Sequence, residues 1–225
     1  PNKNRCEEIL DGEMPECTDG SVALCVFDLN NLRIINNRLG HDQGDAYIRS
    51  FAVQLRKALP EEYFAGRDGG DEFIAVLECV DHEKVREILG TIRSEIAGYS
   101  QEHPEMPISY AVGYALAEDF EGCTMRELFR HADKNMYIDK NFEFIKNFFE
   151  RYMPKVQFEI PEGTYLAWFN MKNYGLSDKD VHDIFIKDAG VFIEGAGMFV
   201  KDDEDWIRMN IACPKVILEQ ALNRM

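Results

Sequence analysis

The sequence has few basic residues compared with acidic ones, and it has no long apolar run. Its 225 residues include 25 Lys and Arg against 41 Asp and Glu, which gives a formal net charge of -16. Nucleic acids and anionic membranes bind mainly through clustered Lys and Arg, so this balance argues against both as partners. The longest clear apolar stretch, 22–27, is far short of the roughly 20 residues that span a bilayer. We therefore expect these residues to be cytoplasmic and to have no membrane-spanning segment.

The sequence also lacks any C-x-x-C pair. Its six cysteines are scattered along the chain, at Cys6, Cys17, Cys25, Cys79, Cys123 and Cys213. This scatter favours reduced, structural thiols, which suits the cytoplasm. The composition is 45% hydrophobic, which is enough apolar surface for a folded chain. The length fits one medium domain plus a small one.

The first 140 residues alternate between strand and helix patterns. Residues 22–27 form a short apolar run that ends at Asp28 and is typical of a buried strand. The predicted elements are a strand at 22–27, a helix at 45–59 that Pro60 ends, strands at 63–65 and 73–77, a helix at 82–99, a strand at 108–116 and a helix at 125–137. This order predicts a mixed fold of the α/β (α+β) class around one sheet.

After Lys140 the sequence becomes richer in aromatic residues, which predicts a boundary between domains at 1–140 and 141–225. The second, small α/β domain is predicted to contain a helix at 142–153, strands at 156–160 and 164–170, a helix at 177–189 capped by Ser177, strands at 191–199 and 206–213, and a helix opened by Pro214. An aromatic stripe on its first helix favours core packing over a binding face: Phe142, Phe144, Phe148 and Phe149.

Acidic residues occur where predicted elements end. Asp28 follows a strand, and Asp71 and Glu72 lie at a hairpin tip, where Gly69 and Gly70 are predicted to supply the positive φ angles of a tight turn. Carboxylates held in this way can share Mg²⁺, which takes one or two carboxylates plus phosphate oxygens. A turn without side chains also lets a nucleotide approach backbone N–H groups. Ordinary loop acids are the alternative interpretation.

The residues around these acids resemble the GGDEF family of diguanylate cyclases. Residues 28–45 read DLNNLRIINNRLGHDQGD, where the family has D-x-D-x-F-K-x-x-N-D-x-x-G-H-x-x-G-D at the same spacing. GGDEF itself stands at 69–73, and ADKNMY at 132–137 is similar to the A-D-x-A-M-Y of the family's closing helix. The resemblance covers nearly all of residues 1–140. It implies a nucleotidyl-cyclase-like fold whose central, mostly antiparallel sheet is flanked by helices.

The resemblance also implies an activity and its partners. Members of the family condense two GTP molecules into cyclic di-GMP and pyrophosphate in bacterial second-messenger signalling, with Mg²⁺ or Mn²⁺ as cofactor. Each subunit of a homodimer presents one GTP, and an upstream sensor domain is common. Product inhibition through the family's R-x-x-D site is not expected here, since residues 60–63 read PEEY.

Residue roles follow from the same resemblance. Asp28, Asp71 and the Leu29 carbonyl would hold the metal, and Asp71 with Glu72 would act in catalysis. The implied GTP-binding residues are Asn36 and Asp45 at the guanine edge, together with Leu32, Arg33, His41 and Lys140. Each of these residues also has a purely structural interpretation: helix capping for Asn36 and Asp45, a position at the start of a helix for His41, and a favourable charge in the last helical turn for Lys140.

The sequence departs from the family at several positions. Asn30 replaces the second acid of D-x-D, and Leu32, Arg33 and Asn37 replace Phe, Lys and Asp. After Lys140 the chain continues NFEF, where the family has x-x-G-R-N. A catalytically impaired GTP-binding signalling module is therefore the alternative to a working cyclase.

Residues 141–225 resemble the small C-terminal domain of fold-type-I pyridoxal-phosphate (PLP) enzymes, in particular the cystathionine β-lyase and aminotransferase group. The matching stretches are PEGTYLAW at 161–168, YGLSD at 174–178, AGV at 189–191 and WIRMNIACP at 206–214. Arg208 would then bind a substrate carboxylate, or else pair with an acidic neighbour, Asp202, Asp203, Glu204 or Asp205. The large domain with the cofactor-binding lysine is missing, so PLP is not expected for this chain. A PLP-dependent lyase or aminotransferase fragment is the further alternative.

Overall fold

The computed structural model describes residues 2–161, 164–191, 193–195 and 206–225. The chain divides into two compact units, Pro1–Tyr137 and Ile138–Met225. The division falls at residue 137, whereas the change in sequence composition had predicted a boundary at residue 140.

The first unit is built around an antiparallel sheet. Its four described strands are β1 (Ser21–Leu29), β2 (Phe64–Gly69), β3 (Glu72–Val80) and β4 (Tyr110–Leu116), in the order β2-β3-β1-β4. Every described pairing is antiparallel. The predicted strands and the predicted mixed α/β class are therefore confirmed.

Strand β1 is central and is buried on both faces. Because side chains alternate along a strand, Cys25 and Phe27 point to one core cluster, while Leu24 and Val26 point to another. The run from Val22 to Phe27 is fully buried. Covering both faces explains why this strand is continuously apolar rather than alternating.

The first unit also contains the described helices α1 (Lys3–Leu10), α2 (Leu32–Leu39), α3 (His41–Ala58) and α4 (His82–Glu102), and the first half of α5 (Met125–Tyr152). The predicted helices at 45–59 and 82–99 correspond to α3 and α4. The sequence patterns did not predict α1 and α2. Leu32 and Ile35 of α2 pack against the core, but none of its eight residues, all of them described, is fully buried. A helix this short offers too few apolar positions to set a clear period.

The two helices predicted at 125–137 and 142–153 are one continuous helix, α5. No Gly or Pro lies between residues 137 and 142, so nothing in the local sequence ends the helix there. The change in composition had been interpreted as a boundary between two domains with separate helices. The helix ends at Tyr152, two residues before Pro154.

The second unit contains another antiparallel sheet. Its described strands are β5 (Gln157–Phe158), β6 (Leu166–Asn170), β7 (Glu194–Gly195) and β8 (Trp206–Asn210), in the order β5-β6-β8-β7. Helix α6 (Asp178–His182) continues into a π-helical turn at Asp183–Asp188, and α7 (Lys215–Leu222) follows β8. The strand predicted at 191–199 meets β7 at 194–195, and its positions 192 and 196–199 lie outside the described residues.

Local predictions for the second unit agree with these elements. Ser177 caps α6 through a capping box with Asp180. Phe142 and Phe149 are buried in the core of this unit, with Phe144 and Phe148 packed against it. The aromatic stripe is therefore core, as predicted.

Two features of the composition can be checked directly. Among the described residues, no helix is both long and apolar enough to span a membrane. All six cysteines lie within the described ranges and are free thiols, as the scattered spacing predicted.

Helix α5 crosses β4 at a glycine, which gives a test of the fold. We expect Gly113→Ala to destabilise the first unit by about 3 kcal/mol. An added Cβ would lie 2.0 Å from the Met136 nitrogen and 2.4 Å from the Ala132 oxygen, and these backbone atoms cannot move aside as a flexible side chain can. The urea unfolding midpoint measures the effect.

Gly90→Ala is the matched control. Gly90 lies exposed on α4, and an added Cβ would meet no described atom within 4 Å. Alanine should stabilise the helix there by up to about 1 kcal/mol. Equal midpoints for Gly113→Ala and the wild type would contradict the close packing of α5 on β4.

Candidate active site

The carboxylates predicted to hold a metal meet at one end of the central strand. Asp28 on β1 lies directly opposite Glu72 on β3 in the antiparallel register. The Leu29 amide donates a hydrogen bond to the Asp71 carbonyl at 3.0 Å. The structure therefore brings together four predicted residues: Asp28, Leu29, Asp71 and Glu72.

The tip of the β2–β3 hairpin is held by an arginine. The Arg67 side chain donates to the Gly70 carbonyl from Nε at 3.0 Å and from Nη2 at 2.7 Å. Gly70 has φ 50°, whereas Gly69, which is also described, is not among the positive-φ residues. The prediction of positive φ at both glycines is therefore wrong for Gly69. The β2 strand instead has a register irregularity between Arg67 and Gly69 that accommodates the turn.

The turn leaves open space in front of its backbone. A Cβ added at Gly69 or at Gly70 would meet no described atom within 4 Å. The absence of side chains leaves the backbone accessible there, which the predicted approach of a nucleotide requires.

Negative charge accumulates around Glu72. Burial raises the pKa of Glu72, and repulsion from Asp28, Asp133, Asp68 and Asp71 raises it further. An isolated acidic cluster of this kind is unfavourable for the protein. A divalent cation would relieve the repulsion.

The closing helix extends this cluster. The pKa of Tyr137 is raised, first by the charge of Asp133, then by burial, and then by Glu72 and Asp28. Asp133 and Tyr137 lie four positions apart on α5, so they share one face of the helix. Sequence reasoning gave neither residue a role, although both belong to the ADKNMY segment that resembles the family's closing motif.

The donor set fits a cation that arrives with phosphate oxygens. Among the described residues, no three His, Cys, Asp or Glu side chains form a preorganised metal-binding group. Mg²⁺ needs only one or two carboxylates, since it keeps several waters and takes phosphate oxygens. Asp28, Asp71 and the Leu29 carbonyl are the oxygen donors predicted to supply that partial set.

A second group of predicted residues lies where α2 meets α3. A Cβ added at Gly44 would lie 1.9 Å from Asn36 Oδ1, so the Asn36 amide rests directly on the Gly44 backbone. Asp45 follows at the next position and is exposed, as is His41 at the start of α3. Gly40, with φ 90°, forms the junction between the two helices. Glycine at position 44 is required for the close approach of Asn36.

The substituted position Asn30 takes a structural role. Its side-chain amide donates to Ser109 Oγ at 3.0 Å, and its backbone amide donates to the Ser109 carbonyl at 2.9 Å. The Tyr47 hydroxyl donates to the Asn30 carbonyl at 3.2 Å. These bonds attach the turn after β1 to the residue that precedes β4.

The remaining predicted residues lie on α2, α5 and β8. Leu32 packs against the core, and Arg33 is exposed on α2. Lys140 lies on α5 within the second unit. Arg208 lies on β8 with its guanidinium carbon 6.0 Å from the centre of the Trp168 ring. The acidic neighbours suggested for Arg208, at 202–205, lie outside the described residues.

The sequence profile described as "Diguanylate cyclase, GGDEF domain" matches residues 1–144. The diguanylate cyclase DgcP of Pseudomonas aeruginosa is 31% identical over 140 residues, which is 61% of this chain and 21% of the relative. The cyclic di-GMP phosphodiesterase PdeR of Escherichia coli is 26% identical over 141 residues, 62% of this chain and 21% of the relative. The chain thus spans about a fifth of the length of these two curated relatives.

Solved structures agree on the fold. An EAL/GGDEF domain protein from M. capsulatus has a TM-score of 0.52 at 27% identity, covering 61% of this chain and 88% of that one. Diguanylate cyclase SiaD of Pseudomonas aeruginosa, solved with its activator SiaC, has a TM-score of 0.54 at 22% identity and covers 62% of this chain and 55% of that one. The strand pairing, the carboxylates at the end of β1 and the profile match agree, and the chain belongs to the GGDEF family.

Proposed function

We propose that the first unit is a diguanylate cyclase that condenses two GTP molecules into cyclic di-GMP and pyrophosphate. The observation that carries the proposal is the register of β1 and β3, which places Asp28 opposite Glu72 and next to Asp71. The family and the relative DgcP support the same reaction.

The proposed metal site uses Asp28, Asp71 and the Leu29 carbonyl. Mg²⁺ or Mn²⁺ bound there would polarise the phosphate and stabilise the charge on the leaving pyrophosphate. The hairpin-tip backbone would face the phosphates, because Gly69 and Gly70 leave room for them. Asp71 and Glu72 would assist removal of the proton from the attacking hydroxyl. The raised pKa of Glu72 favours a carboxyl group that can take up a proton.

Guanine recognition is proposed for Asn36 and Asp45. An amide offers both a donor and an acceptor, and a carboxylate accepts from the guanine N1–H and exocyclic amine. The contact with Gly44 fixes the Asn36 amide beside Asp45. Leu32, Arg33, His41 and Lys140 remain predicted contributors to GTP binding.

The reaction requires two copies of the site. The 3′-hydroxyl of one GTP attacks the α-phosphate of the other, a P–O bond forms, and pyrophosphate leaves, once in each direction. We therefore propose a homodimer in which each subunit presents one GTP. Product inhibition of the R-x-x-D type is not proposed, because residues 60–63 read PEEY. In that turn the Arg56 side chain donates to the Glu61 and Tyr63 carbonyls.

A GTP-binding module without turnover is the second candidate. It is favoured by Asn30, which replaces the second acid of the family motif. The Asn30 side chain donates a hydrogen bond to Ser109. The relative PdeR, named as a phosphodiesterase, contains a similar segment. We propose no PLP chemistry for residues 141–225, since the resemblance there is to a small C-terminal domain and not to the domain that carries the cofactor-binding lysine. The carboxylate-binding role of Arg208 stays a prediction.

The cyclase proposal predicts product formation by the full chain. With GTP and Mg²⁺, cyclic di-GMP and pyrophosphate should accumulate, as followed by chromatography. Asp71→Ala should reduce the rate by at least about 100-fold, because it removes a metal ligand and a proton acceptor. Asp19→Asn, an exposed acid before β1, should leave the rate unchanged. Absence of product with retained GTP binding would favour the non-catalytic module.

Metal binding can be tested separately from turnover. Without metal at neutral pH, Glu72→Gln should melt at a higher temperature than the wild type, because it removes a half-buried charge repelled by four neighbouring acids.

Mn²⁺ with a non-hydrolysable GTP analogue should raise the Tm of the wild type, and Asp28→Asn should abolish that rise. An equal rise in Asp28→Asn and the wild type would exclude Asp28 as a ligand.

The contact between α2 and α3 predicts a substrate effect. Gly44→Ala should raise the KM for GTP about 10-fold, as should Asn36→Ala, because each costs roughly one hydrogen bond to the base. Gly98→Ala, at an open position on α4, is the control. If turnover is absent, calorimetry with a GTP analogue compares the binding affinities of the same variants. Unchanged affinity in Gly44→Ala would argue against guanine recognition by Asn36.

A further inference from the structure

Two cysteines lie in contact at the end of the sheet opposite the carboxylate cluster. The Cys79 amide donates to Cys17 Sγ at 3.0 Å, although the residues are 62 positions apart. Both are free thiols, and neither has a role in the proposed reaction.

The backbone around this pair is tightly arranged. Cys79 has φ 57°, a left-handed conformation uncommon for a residue with a side chain. It lies next to Val80, where the β1–β3 register is irregular between Ser21 and Ala23. A Cβ added at Gly20 would lie 2.8 Å from the Val80 carbonyl oxygen. The segment before β1 and the end of β3 are thus held against one another.

We propose that Cys17 and Cys79 form a dithiol site that a low-molecular-weight disulfide oxidises to an intramolecular disulfide. The Cys79 thiolate attacks one sulfur of the reagent RSSR, which releases one RSH and leaves a mixed disulfide. The Cys17 thiol then displaces the second RSH and closes the bond. The two protein thiols are oxidised, the reagent disulfide is reduced to two RSH, and both protons pass to the released thiolates.

Exposure determines which thiol reacts first. Cys79 is exposed, whereas Cys17 is partly buried. Burial raises the pKa of the Cys17 thiol, the Cys79 side chain raises it further, and the hydrogen bond from the Cys79 amide lowers it in part. Cys17 therefore suits the second, resolving step, in which its partner sulfur is already adjacent. Cys6 and Cys25 are poor competitors, since burial raises their pKa values to about 11 and about 12.

The bond would fasten the segment before β1 to β3 without reaching the GTP site. Asp28 and Glu72 are paired at the far end of the same two strands, and Ser21 pairs with Val80 at the near end. A cross-link across 62 positions restricts the unfolded chain strongly. Oxidation should therefore raise the thermal stability of the first unit and leave nucleotide binding unchanged.

The experiment treats the full chain with oxidised glutathione. Peptide mapping by mass spectrometry should find the Cys17 and Cys79 peptides joined in a monomeric protein. The Tm should rise on the order of 10 °C and return after reduction. Cys17→Ser should stop at a glutathione adduct on Cys79, and Cys123→Ser, which removes another partly buried thiol, should behave like the wild type.

Three results would overturn the proposal. They are a stable glutathione adduct on Cys79 in the wild type, a dimer linked through Cys79, and a Cys17–Cys79 bond that lowers the Tm. The mapping uses the wild-type chain, so a folding defect in either serine variant does not affect it. Binding of the GTP analogue before and after oxidation shows whether the bond leaves the nucleotide site unchanged.

Discussion

Backbone hydrogen bonds between β1 and β3 carry one register from Ala23–Leu77 to Asp28–Glu72. Strand side chains repeat every two residues, so a slip of one position would turn the core residues of β1 to the wrong faces. The same slip would move Asp28 away from Glu72. The hydrophobic core and the candidate active site of the first unit therefore depend on the same strand pairing.

The parts of this arrangement that rest on local periodicity could be predicted from the sequence. Strand β1, helices α3 and α4 and the β2–β3 hairpin all carry strong apolar patterns, and the structure contains each of them. Helix α2 was not predicted in this way because it has only eight residues, all described and none of them fully buried, which is too few to set a clear period. The prediction of two helices in place of α5 was wrong. The composition changes near residue 140, but no Gly or Pro there ends the helix.

The candidate site was predictable to a different extent. Short motifs identified Asp28, Asp71 and Glu72, but only tertiary structure shows Asp133 and Tyr137 in the electrostatic environment of that cluster. The dependence of Asn36 on Gly44 also joins separate helices. Such contacts follow from how elements pack, and a single sequence contains no direct record of that packing. The predicted PLP-like character of residues 141–225 still rests on sequence motifs alone.

The clamp between Arg67 and the Gly70 carbonyl has a consequence for binding energetics. A glycine-rich turn that was free in solution would lose considerable backbone entropy on closing around a ligand. Two hydrogen bonds from one planar guanidinium already restrict this turn. Much of that entropy is therefore lost when the protein folds, and a ligand that bound at this turn would meet a loop that is already ordered.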